Sequence, residues 1–462
     1  MNIYDKETIC AISTPAGIGG IAVIRVSGDD ALTIVDKIWQ GKSLVKAESH
    51  TAHLGRIVDS DGSILDEVVG TVFRNPASFT GEDVVEISCH GSLYIQQRLL
   101  QLLLQNGCRM ATAGEFSQRA FLNHKMDLSQ TEAIADLIAS TSKAAHHLAY
   151  SQMKGGFSSQ LAQLRDKLLQ FCSLLELELD FSEEDVTFAD REQLLSLAEN
   201  IHTALQRLVT SFSLGNAIKN GVPVAIVGET NVGKSTLLNA LLQEDKALVS
   251  DIHGTTRDVI EDTIVIKGTL YRLIDTAGIR NTDDEIENMG IQRTFDRLDK
   301  AQLVLWVIDP TAENALELYT EILSHTQGKS LLVIVNKKDL LQESSKCDLD
   351  QALQSLAIPQ EDIFYISAAT SDGLDGLTDR LTQLATVANE SDIIVTNVRH
   401  YQALMRADEA VVRALDGLNT QLSGDLIAQD VRECLHFLGE ITGEITSQDI
   451  LTNIFSHFCI GK

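Results

Sequence analysis

A phosphate-binding loop in the middle of the chain constrains the fold more than any other feature. Apolar residues at 224–227 lead into the sequence GETNVGKS at 228–235, and an apolar helical pattern follows directly. In a P-loop, a strand, a glycine-rich turn and a helix follow each other in this order, and backbone N–H groups and one lysine surround the phosphates of a nucleotide. The motif's last residue, Ser235, is of the type that binds the accompanying Mg²⁺. The sequence therefore predicts a domain of parallel strands and helices that binds a nucleoside triphosphate.

Two segments after the loop predict a switch that contacts the terminal phosphate. The sequence GTTRD at 254–258 contains Thr256, which we expect to bind Mg²⁺ and the γ-phosphate. The sequence LIDTAG at 273–278 ends a further strand. There we expect Asp275 to hold Mg²⁺ through water and the N–H group of Gly278 to contact the γ-phosphate.

Later segments predict how the base is recognised. NKKD at 336–339 follows one apolar strand, and Ser367 and Ala368 follow another. The carboxylate of Asp339 accepts hydrogen bonds from N1–H and N2–H₂ of guanine, a donor pair that adenine lacks. Together, and in this order, the motifs predict GTP as the substrate. The candidate nucleotide-binding residues are Asn231, Val232, Gly233, Lys234, Ser235, Thr236, Ser250, Asp251, Ile252, His253, Gly254, Thr255, Thr256, Asp275, Thr276, Ala277, Gly278, Asn336, Lys337, Asp339, Ser367 and Ala368.

The order of patterns along the chain predicts an inserted domain. A mixed segment comes first, with candidate strands at 9–13, 21–26, 67–73 and 84–89 and a candidate helix at 93–105. Helical periodicity follows, gives way to alternating strands and helices, and then returns. We therefore predict a multidomain chain with an α/β N-terminal domain at 1–120, an all-α domain in two segments at 121–215 and 385–462, and a P-loop domain with a doubly wound sheet inserted at 216–384.

The charge and the cysteines narrow the classes of function. With 65 acidic and 37 basic residues the net charge is −28, which disfavours non-specific binding to a nucleic-acid backbone. No apolar run is long enough to span a bilayer, and we see no leader sequence, so we expect a cytoplasmic protein without a membrane partner. The seven cysteines are scattered, without the spacing of a zinc or redox site.

The residue that activates water is not obvious from the GTPase motifs alone. Ras-like enzymes have a glutamine directly after the D-x-x-G motif, but this chain has Ile279, which cannot orient water. Acidic residues follow at 283–285 and at Glu287. The sequence motifs by themselves do not distinguish a catalytic carboxylate among them from a solvated one.

Long motifs at both ends of the chain carry a specific resemblance. They are TPAGIGGIAVIRVSG, SFTGEDVVEISCHG, GEFSQRAFLNHKMDLSQTEAIADLI and the terminal CIGK, together with GETNVGKSTLLNAL, DIHGTTRD, IDTAGIR and NKKD in the middle. Across essentially its whole length the chain resembles the MnmE (TrmE) family of bacterial tRNA modification GTPases, of the TrmE–Era–EngA type. The resemblance implies a tetrahydrofolate-binding and dimerising N-terminal domain, a discontinuous helical domain and an inserted Ras-like G domain.

The resemblance also implies how GTP is hydrolysed. Paired G domains in a homodimer would use K⁺ where other GTPases use an arginine finger. The K⁺ ligands match Asn231, Ser250, Ile252 and Thr255, and Ser250 replaces the usual threonine at a position where the ligand is a backbone carbonyl. The family's water-orienting glutamate matches Glu287, the candidate catalytic residue. For Mg²⁺ the ligands remain Ser235 and Thr256.

A folate site and a partner enzyme follow from the same resemblance. A 5-formyl- or methylene-tetrahydrofolate would be bound by Arg25, Glu86, Lys125 and Lys462. The partner would be MnmG, an enzyme that uses FAD and NADH. A protein of this family and MnmG would together form a heterotetramer. Together they would add a carboxymethylaminomethyl or aminomethyl group to C5 of the wobble uridine of certain tRNAs. Cys459 lies beside the terminal motif, and both a chemical and a structural role for its thiol stay open.

Two other classes of function share the GTPase motifs. One is a GTP-switched factor for ribosome assembly or RNA binding, which needs a basic appendage that the net charge of −28 disfavours. The other is a scaffold whose G domain binds GTP without turnover. The rate of GTP hydrolysis in K⁺ and Na⁺ buffers distinguishes the scaffold from an enzyme.

Overall fold

In the computed structural model, two compact units are formed. The first unit comprises Met1–Ile138, Tyr150–Ile201 and Arg406–Lys462, and the second comprises Ala139–Ala149 and His202–Met405. The domain boundaries given above stay predictions. The structure describes residues 7–180, 191–229, 231–244, 262–274, 298–299, 301–311, 322–323, 325–326, 329–341, 343–356, 358–385, 393–456, 458 and 460–461.

A seven-stranded sheet dominates the first unit. Its spatial order is β3-β4-β5-β6-β2-β1-β7, and all neighbouring strands are antiparallel except the parallel pair of β1 and β7. The strands are β1 (Ile9–Ile12), β2 (Gly19–Ser27), β3 (Trp39–Gly41), β4 (Thr51–Val58), β5 (Ile64–Phe73), β6 (Val84–Gly91) and β7 (Arg109–Met110). Helices α1 (Ala31–Ile38) and α2 (Leu93–Gln105) cover one face.

Strand β6 shows how the sheet places a polar side chain on the face opposite to α1 and α2. Its residues alternate between the two faces, so Val85, Ile87 and Cys89 are buried in the core with the helices. Glu86 points to the opposite face and is only half-buried. A strand with this alternation presents a carboxylate on a rigid surface.

The predicted elements of this unit are confirmed with shifted ends, and three strands, β3, β4 and the two-residue β7, were missed. The strands predicted at 9–13, 21–26, 67–73 and 84–89 correspond to β1, β2, β5 and β6, and the helix at 93–105 is α2. Strands β3 and β4 gave no signal in the sequence. The exposed Ala52, Leu54 and Arg56 of β4 mix apolar and polar side chains on one face, which hides the alternation of a strand.

Helices complete the first unit. Leu161, Leu164, Leu168 and Leu175 form a buried stripe along α6, as their spacing predicted. Leu179, the last residue of the predicted stripe, has its side chain outside the described residues. The helices wholly or partly in this unit are α3 (Glu115–Leu122), α4 (Leu128–Ala139), α5 (Lys143–Met153), α6 (Gly156–Asp180), α7 (Arg191–Asn220), α11 (Val398–Asn419), α12 (Gly424–Thr442) and α13 (Gln448–Ser456).

The second unit contains a six-stranded sheet. The order is β13-β12-β11-β8-β10-β9, and helices α8 (Lys234–Glu244), α9 (Glu343–Ser355) and α10 (Leu374–Ala385) alternate with the strands. The strands are β8 (Val222–Val227), β9 (Asp262–Ile266), β10 (Thr269–Leu273), β11 (Leu303–Ile308), β12 (Ser330–Val335) and β13 (Ile363–Tyr365).

Strand β11 demonstrates that this sheet is covered on both faces. Leu303, Leu305 and Val307 belong to one hydrophobic core. The intervening Val304 and Trp306 belong to the other. A strand that is buried on both sides is typical of a doubly wound sheet, so the predicted fold class is confirmed.

One edge of this sheet departs from the predicted parallel arrangement. β9 pairs with β10 in antiparallel register, whereas the other neighbouring strands are parallel. The connection consists of Lys267 and Gly268, with φ angles of 48° and 84°. A two-residue turn with two positive φ angles joins antiparallel strands, which explains the difference.

In the described part of the chain, no helix is both long and apolar enough to cross a membrane.

Candidate functional site

The phosphate loop lies at the carboxyl end of β8. The strand ends at Val227, and α8 begins at Lys234, two residues earlier than predicted. The ammonium group of Lys234 donates a hydrogen bond to the carbonyl oxygen of Gly228 at 2.8 Å and another to that of Glu229. These bonds fold the loop back over the N-terminus of α8, and the N-terminal end of a helix dipole favours phosphate.

Gly233 occupies a position that only glycine can take. Its φ angle is +98°, and a Cβ atom there would lie 2.2 Å from Nδ2 of Asn336. The loop and the guanine motif are therefore in direct contact. A side chain at position 233 would push apart the segments that are predicted to bind the phosphates and the base.

Asn336 is buried and connects three segments. Its Nδ2 donates a hydrogen bond to the carbonyl oxygen of Val232 at 2.8 Å, and its Oδ1 accepts one from the N–H of Ala368 at 3.0 Å. The sequence predicted Val232, Asn336 and Ala368 as nucleotide-binding residues, and the structure brings them together. The sequence did not predict that Asn336 is a structural link between the loops.

Asp309 lies beside the predicted base-binding residues, and sequence reasoning did not single it out. It directly follows β11, and its carboxylate is 2.6 Å from Nζ of Lys337. Burial alone raises the pKa of Asp309, but hydrogen bonds from Lys337 and Thr311 outweigh it and hold the pKa below its ordinary value. An acidic residue at the carboxyl end of a buried strand is the signal that could have identified it.

Two further residues of the predicted base pocket, Asp339 and Ser367, follow the ends of β12 and β13. Asp339 lies in a short 3₁₀ turn, Lys338–Leu340, and is exposed. Ser367 is buried, and its Oγ has no hydrogen-bond partner among the described residues.

Asn231, the predicted K⁺ ligand in the phosphate loop, is exposed and has a φ angle of 62°. Ser235 follows Lys234 in the first turn of α8.

Several predicted site residues lie outside the described residues, and their roles stay predictions. They are Ser250, Asp251, Ile252, His253, Gly254, Thr255, Thr256, Asp275, Thr276, Ala277, Gly278 and Glu287 in the GTPase part, and Cys459 and Lys462 near the C-terminal end.

In the first unit, Arg25 and Glu86 face each other on the face of the sheet opposite to α1 and α2. They are directly opposite in the register of β2 and β6, and both Nε and Nη2 of Arg25 lie 2.9 Å from Oε1 of Glu86. The guanidinium group also lies 5.2 Å from the ring centre of Phe79 and 5.5 Å from that of Phe116. An arginine held by one carboxylate and two aromatic rings has a fixed orientation.

The C-terminal motif reaches the same place. Ile460 forms an antiparallel bridge with Ala113, and the carbonyl oxygen of Gly461 accepts hydrogen bonds from Arg25 Nη1 at 3.4 Å and Ser13 Oγ at 3.2 Å. Gly461 has a φ angle of +97°, and a Cβ atom there would lie 2.2 Å from the carbonyl oxygen of Ile12. Glycine is therefore required in CIGK for the chain end to approach Arg25.

Lys125 is connected to this group through one loop. Its Nζ donates a hydrogen bond to the carbonyl oxygen of Pro76 at 2.8 Å, and the same loop carries Phe79, which contacts Arg25. The structure thus brings Arg25, Glu86 and Gly461 into contact, and it places Lys125 at the loop beside them.

Comparison with known proteins assigns the family. A family model described as the MnmE helical domain matches residues 128–459, and one described as the GTP-binding protein TrmE N-terminus matches residues 8–125. Three similar proteins are each named tRNA modification GTPase MnmE. The protein of Bacteroides thetaiotaomicron is 54% identical over 99% of this chain and 100% of the relative, and that of Parabacteroides distasonis is 55% identical with the same coverage. The protein of Flavobacterium johnsoniae is 50% identical over the full length of both. Because these similarities extend over the whole chain, including the phosphate loop and the terminal motif, the chain belongs to the MnmE family of tRNA modification GTPases.

Proposed function

We propose that this GTPase, which acts in tRNA modification with GTP and Mg²⁺, modifies the wobble uridine. With the FAD- and NADH-dependent partner MnmG, it would add a carboxymethylaminomethyl or aminomethyl group to C5, using a tetrahydrofolate one-carbon donor. The observation that carries the proposal is the contact of Arg25 with Glu86 and with Gly461 of the terminal motif. GTP hydrolysis alone does not require this group of an arginine, a carboxylate and the terminal motif.

The charges at the Arg25 group suit a folate. Arg25 contacts Oε1 of Glu86, and Oε2 has no hydrogen-bond donor among the described residues. A free carboxylate oxygen accepts hydrogen bonds from the N–H groups of a pterin ring. The cations Arg25, Lys125 and Lys462 suit the carboxylates of the folate tail. Binding of 5-formyl-tetrahydrofolate to the full chain, measured by calorimetry, tests this part directly.

The phosphate loop supports a K⁺-dependent reaction. Asn231 is exposed in the loop and has an amide oxygen, which is a suitable K⁺ ligand. The backbone carbonyl of Ser250, together with Ile252 and Thr255, would complete the site. A fixed cation there would stabilise the negative charge that develops in the transition state. The test is the rate of GTP hydrolysis in K⁺ and in Na⁺ buffer, since equal rates would exclude the K⁺ role.

Glu287, which matches the family's water-orienting glutamate, is the proposed residue that orients the attacking water. Ile279, at the usual glutamine position, has no polar group. Glu287→Ala should lose GTP hydrolysis while GTP binding is unchanged. Full turnover by this variant would disprove the role.

The proposed assembly is a cytoplasmic homodimer that forms a heterotetramer with MnmG. The N-terminal domain at 1–120 would dimerise, and the G domains at 216–384 would pair during hydrolysis and separate afterwards. The helical segments at 121–215 and 385–462 would connect this movement to the folate site. Size-exclusion chromatography with light scattering, with and without a GTP analogue and MnmG, measures each step.

The decisive experiment for the tRNA substrate is nucleoside analysis. In a strain that lacks this gene, the C5-modified wobble uridine should disappear from the tRNA and return when the gene is restored. A normal nucleoside profile in the deletion strain would overturn the proposal, although the chain would remain a GTPase.

A further inference from the structure

A buried carboxylate lies beside the base pocket, outside the GTPase sequence motifs. Asp309 directly follows β11 and is 8% exposed. Its Oδ1 accepts hydrogen bonds from the N–H of Thr311 at 2.9 Å and from its hydroxyl at 2.7 Å, while Oδ2 is 2.6 Å from Nζ of Lys337. Both carboxylate oxygens therefore have partners. One oxygen shapes the loop after β11, and the other binds a residue of the guanine motif.

Lys337 has a backbone that cannot adjust freely. Its φ angle is 58°, which is uncommon for a residue with a side chain. The preceding residue is the buried link Asn336, and the carbonyl oxygen of Lys337 accepts a hydrogen bond from the N–H of Leu340, which closes the turn that contains Asp339. The backbone of Lys337 is thus held on both sides, and Asp309 fixes the far end of its side chain.

We propose that Asp309 is a positioning residue for guanine nucleotides, which acts by holding the ammonium group of Lys337. With both ends held, the four methylene groups of Lys337 form a fixed apolar wall of the base pocket between Asn336 and Asp339. A planar base binds to such a wall without the entropy loss of ordering a long side chain. The inference rests on guanine binding at residues 336–339, which is part of the GTPase activity.

The neighbouring lysine of the motif provides a contrast. Lys338 also pairs with an aspartate, Asp372, at 2.9 Å, but their side chains are 46% and 61% exposed. The corresponding values for Lys337 and Asp309 are 33% and 11%. Exposed ion pairs contribute little, whereas a buried carboxylate that loses its partner is costly. The same substitution of aspartate by asparagine can therefore be compared in a buried ion pair and in an exposed one.

The test uses the full-length chain and five variants, of which Asp309→Glu is the charge-restoring one. Asp309→Asn keeps the shape and an acceptor for Thr311 but removes the charge that holds Lys337, and Asp372→Asn is the matched control. Lys337→Met keeps an apolar stem and removes the ammonium group. The double variant of Asp309→Asn and Lys337→Met completes a mutant cycle. The measurements are the Kd for a fluorescent GDP analogue, the KM and kcat for GTP, and the melting temperature.

We expect Asp309→Asn to raise the Kd and the KM about tenfold, with kcat at saturating GTP within about twofold of the unmodified chain. Asp372→Asn should change none of these values. In the Lys337→Met background, Asp309→Asn should have little further effect, because its partner is gone. Asp309→Glu, which restores the charge, should recover part of the affinity.

Two results would overturn the inference. One is an unchanged Kd in Asp309→Asn. The other is an equal loss of affinity in the presence and absence of Lys337, since Asp309 would then act through the Thr311 loop. A GTPase rate of zero in the unmodified chain would instead contradict the GTPase activity itself, so the two failures are distinguishable.

Discussion

The side-chain amide of Asn336 donates a hydrogen bond to the carbonyl oxygen of Val232 at 2.8 Å, which joins the guanine motif to the phosphate loop. The same side chain accepts a hydrogen bond from Ala368. The segments predicted to bind the phosphates and the base are therefore parts of one hydrogen-bonded structure. A change in either segment should affect the affinity for the whole nucleotide.

The first prediction concerns this link. Asn336→Ala removes both hydrogen bonds and leaves a buried carbonyl and a buried N–H without partners, at a cost of about 1–3 kcal/mol each. We expect the affinity for GDP and for GTP to fall at least about tenfold, because both pockets lose their relative position. A fluorescence titration with each nucleotide measures this. If the two affinities stayed unchanged, Asn336 would not be the structural link.

The second prediction separates a steric clash from backbone strain. At Gly233, with a φ angle of +98°, a Cβ atom would lie 2.2 Å from Asn336, whereas at Gly62, with a φ angle of +84°, it would meet nothing within 4 Å. Gly233→Ala should abolish measurable nucleotide binding. Gly62→Ala should leave binding unchanged and lower stability by only about 1 kcal/mol. Equal nucleotide affinities in the two variants, measured by titration, would refute the steric argument.

The parts of the site that the sequence predicted are those whose chemistry is local. A strand, GETNVGKS and a helix must adjoin to bind phosphate, so the loop and Lys234 were evident before the structure. Asp309 was not, because its partner Lys337 is 28 residues away and only the parallel pairing of β11 with β12 brings them together. Sequence patterns report periodicity along the chain and contain no direct record of such pairings.

The first unit shows the same limit. Residues such as Arg25 and Lys125 are surface charges by the ordinary rules, and only the resemblance to a family predicted a shared site. The hydrogen bond from Arg25 to Gly461 spans 436 residues. The strands β3 and β4, at one side of the sheet, were missed because half-exposed strands alternate weakly. The register of β2 with β6, which sets Arg25 opposite Glu86, follows from the packing of their buried faces.

The third prediction uses the buried carboxylate of Glu115. Burial raises its pKa, but hydrogen bonds from Arg109, from the N–H of Thr112 and from Arg119 outweigh burial and lower the pKa from 4.5 to about 2. A depressed pKa stabilises the folded state above pH 4.5, and this contribution is lost as the pH falls toward 2. Glu115→Gln should therefore lower stability by about 3 kcal/mol at neutral pH and by much less near pH 3.

Thermal melting of the full chain at several pH values measures this difference. Arg56→Gln, which removes an exposed ion pair with Glu67, serves as the control and should have little effect at any pH. A difference between Glu115→Gln and the unmodified chain that did not shrink on acidification would contradict the assigned pKa.

The fourth prediction concerns thiol chemistry. Cys89 is buried, and burial together with the charge of Asp66 raises its pKa to about 11. Since the thiolate is the reactive species, Cys89 should resist alkylation in the folded protein at pH 8 and react readily after denaturation. Mass spectrometry of the peptide that contains Cys89 measures the extent of alkylation. Rapid labelling of Cys89 in the native state would show that the strand opens.

The last prediction tests the Arg25 group separately from the GTPase site. Arg25→Gln removes the ion pair with Glu86 and the hydrogen bond to Gly461, so binding of 5-formyl-tetrahydrofolate should weaken at least about tenfold. Arg25→Lys keeps the charge, but a single ammonium group cannot reproduce the planar contacts with carboxylate, carbonyl and aromatic rings, and we expect an intermediate loss. Arg56→Gln, on the same sheet, is the matched control. GTP hydrolysis should stay within about twofold in all three variants, because none touches the phosphate loop. Calorimetry for folate and phosphate release for GTP provide the measurements, and equal folate affinities in Arg25→Gln and Arg56→Gln would remove Arg25 from the site.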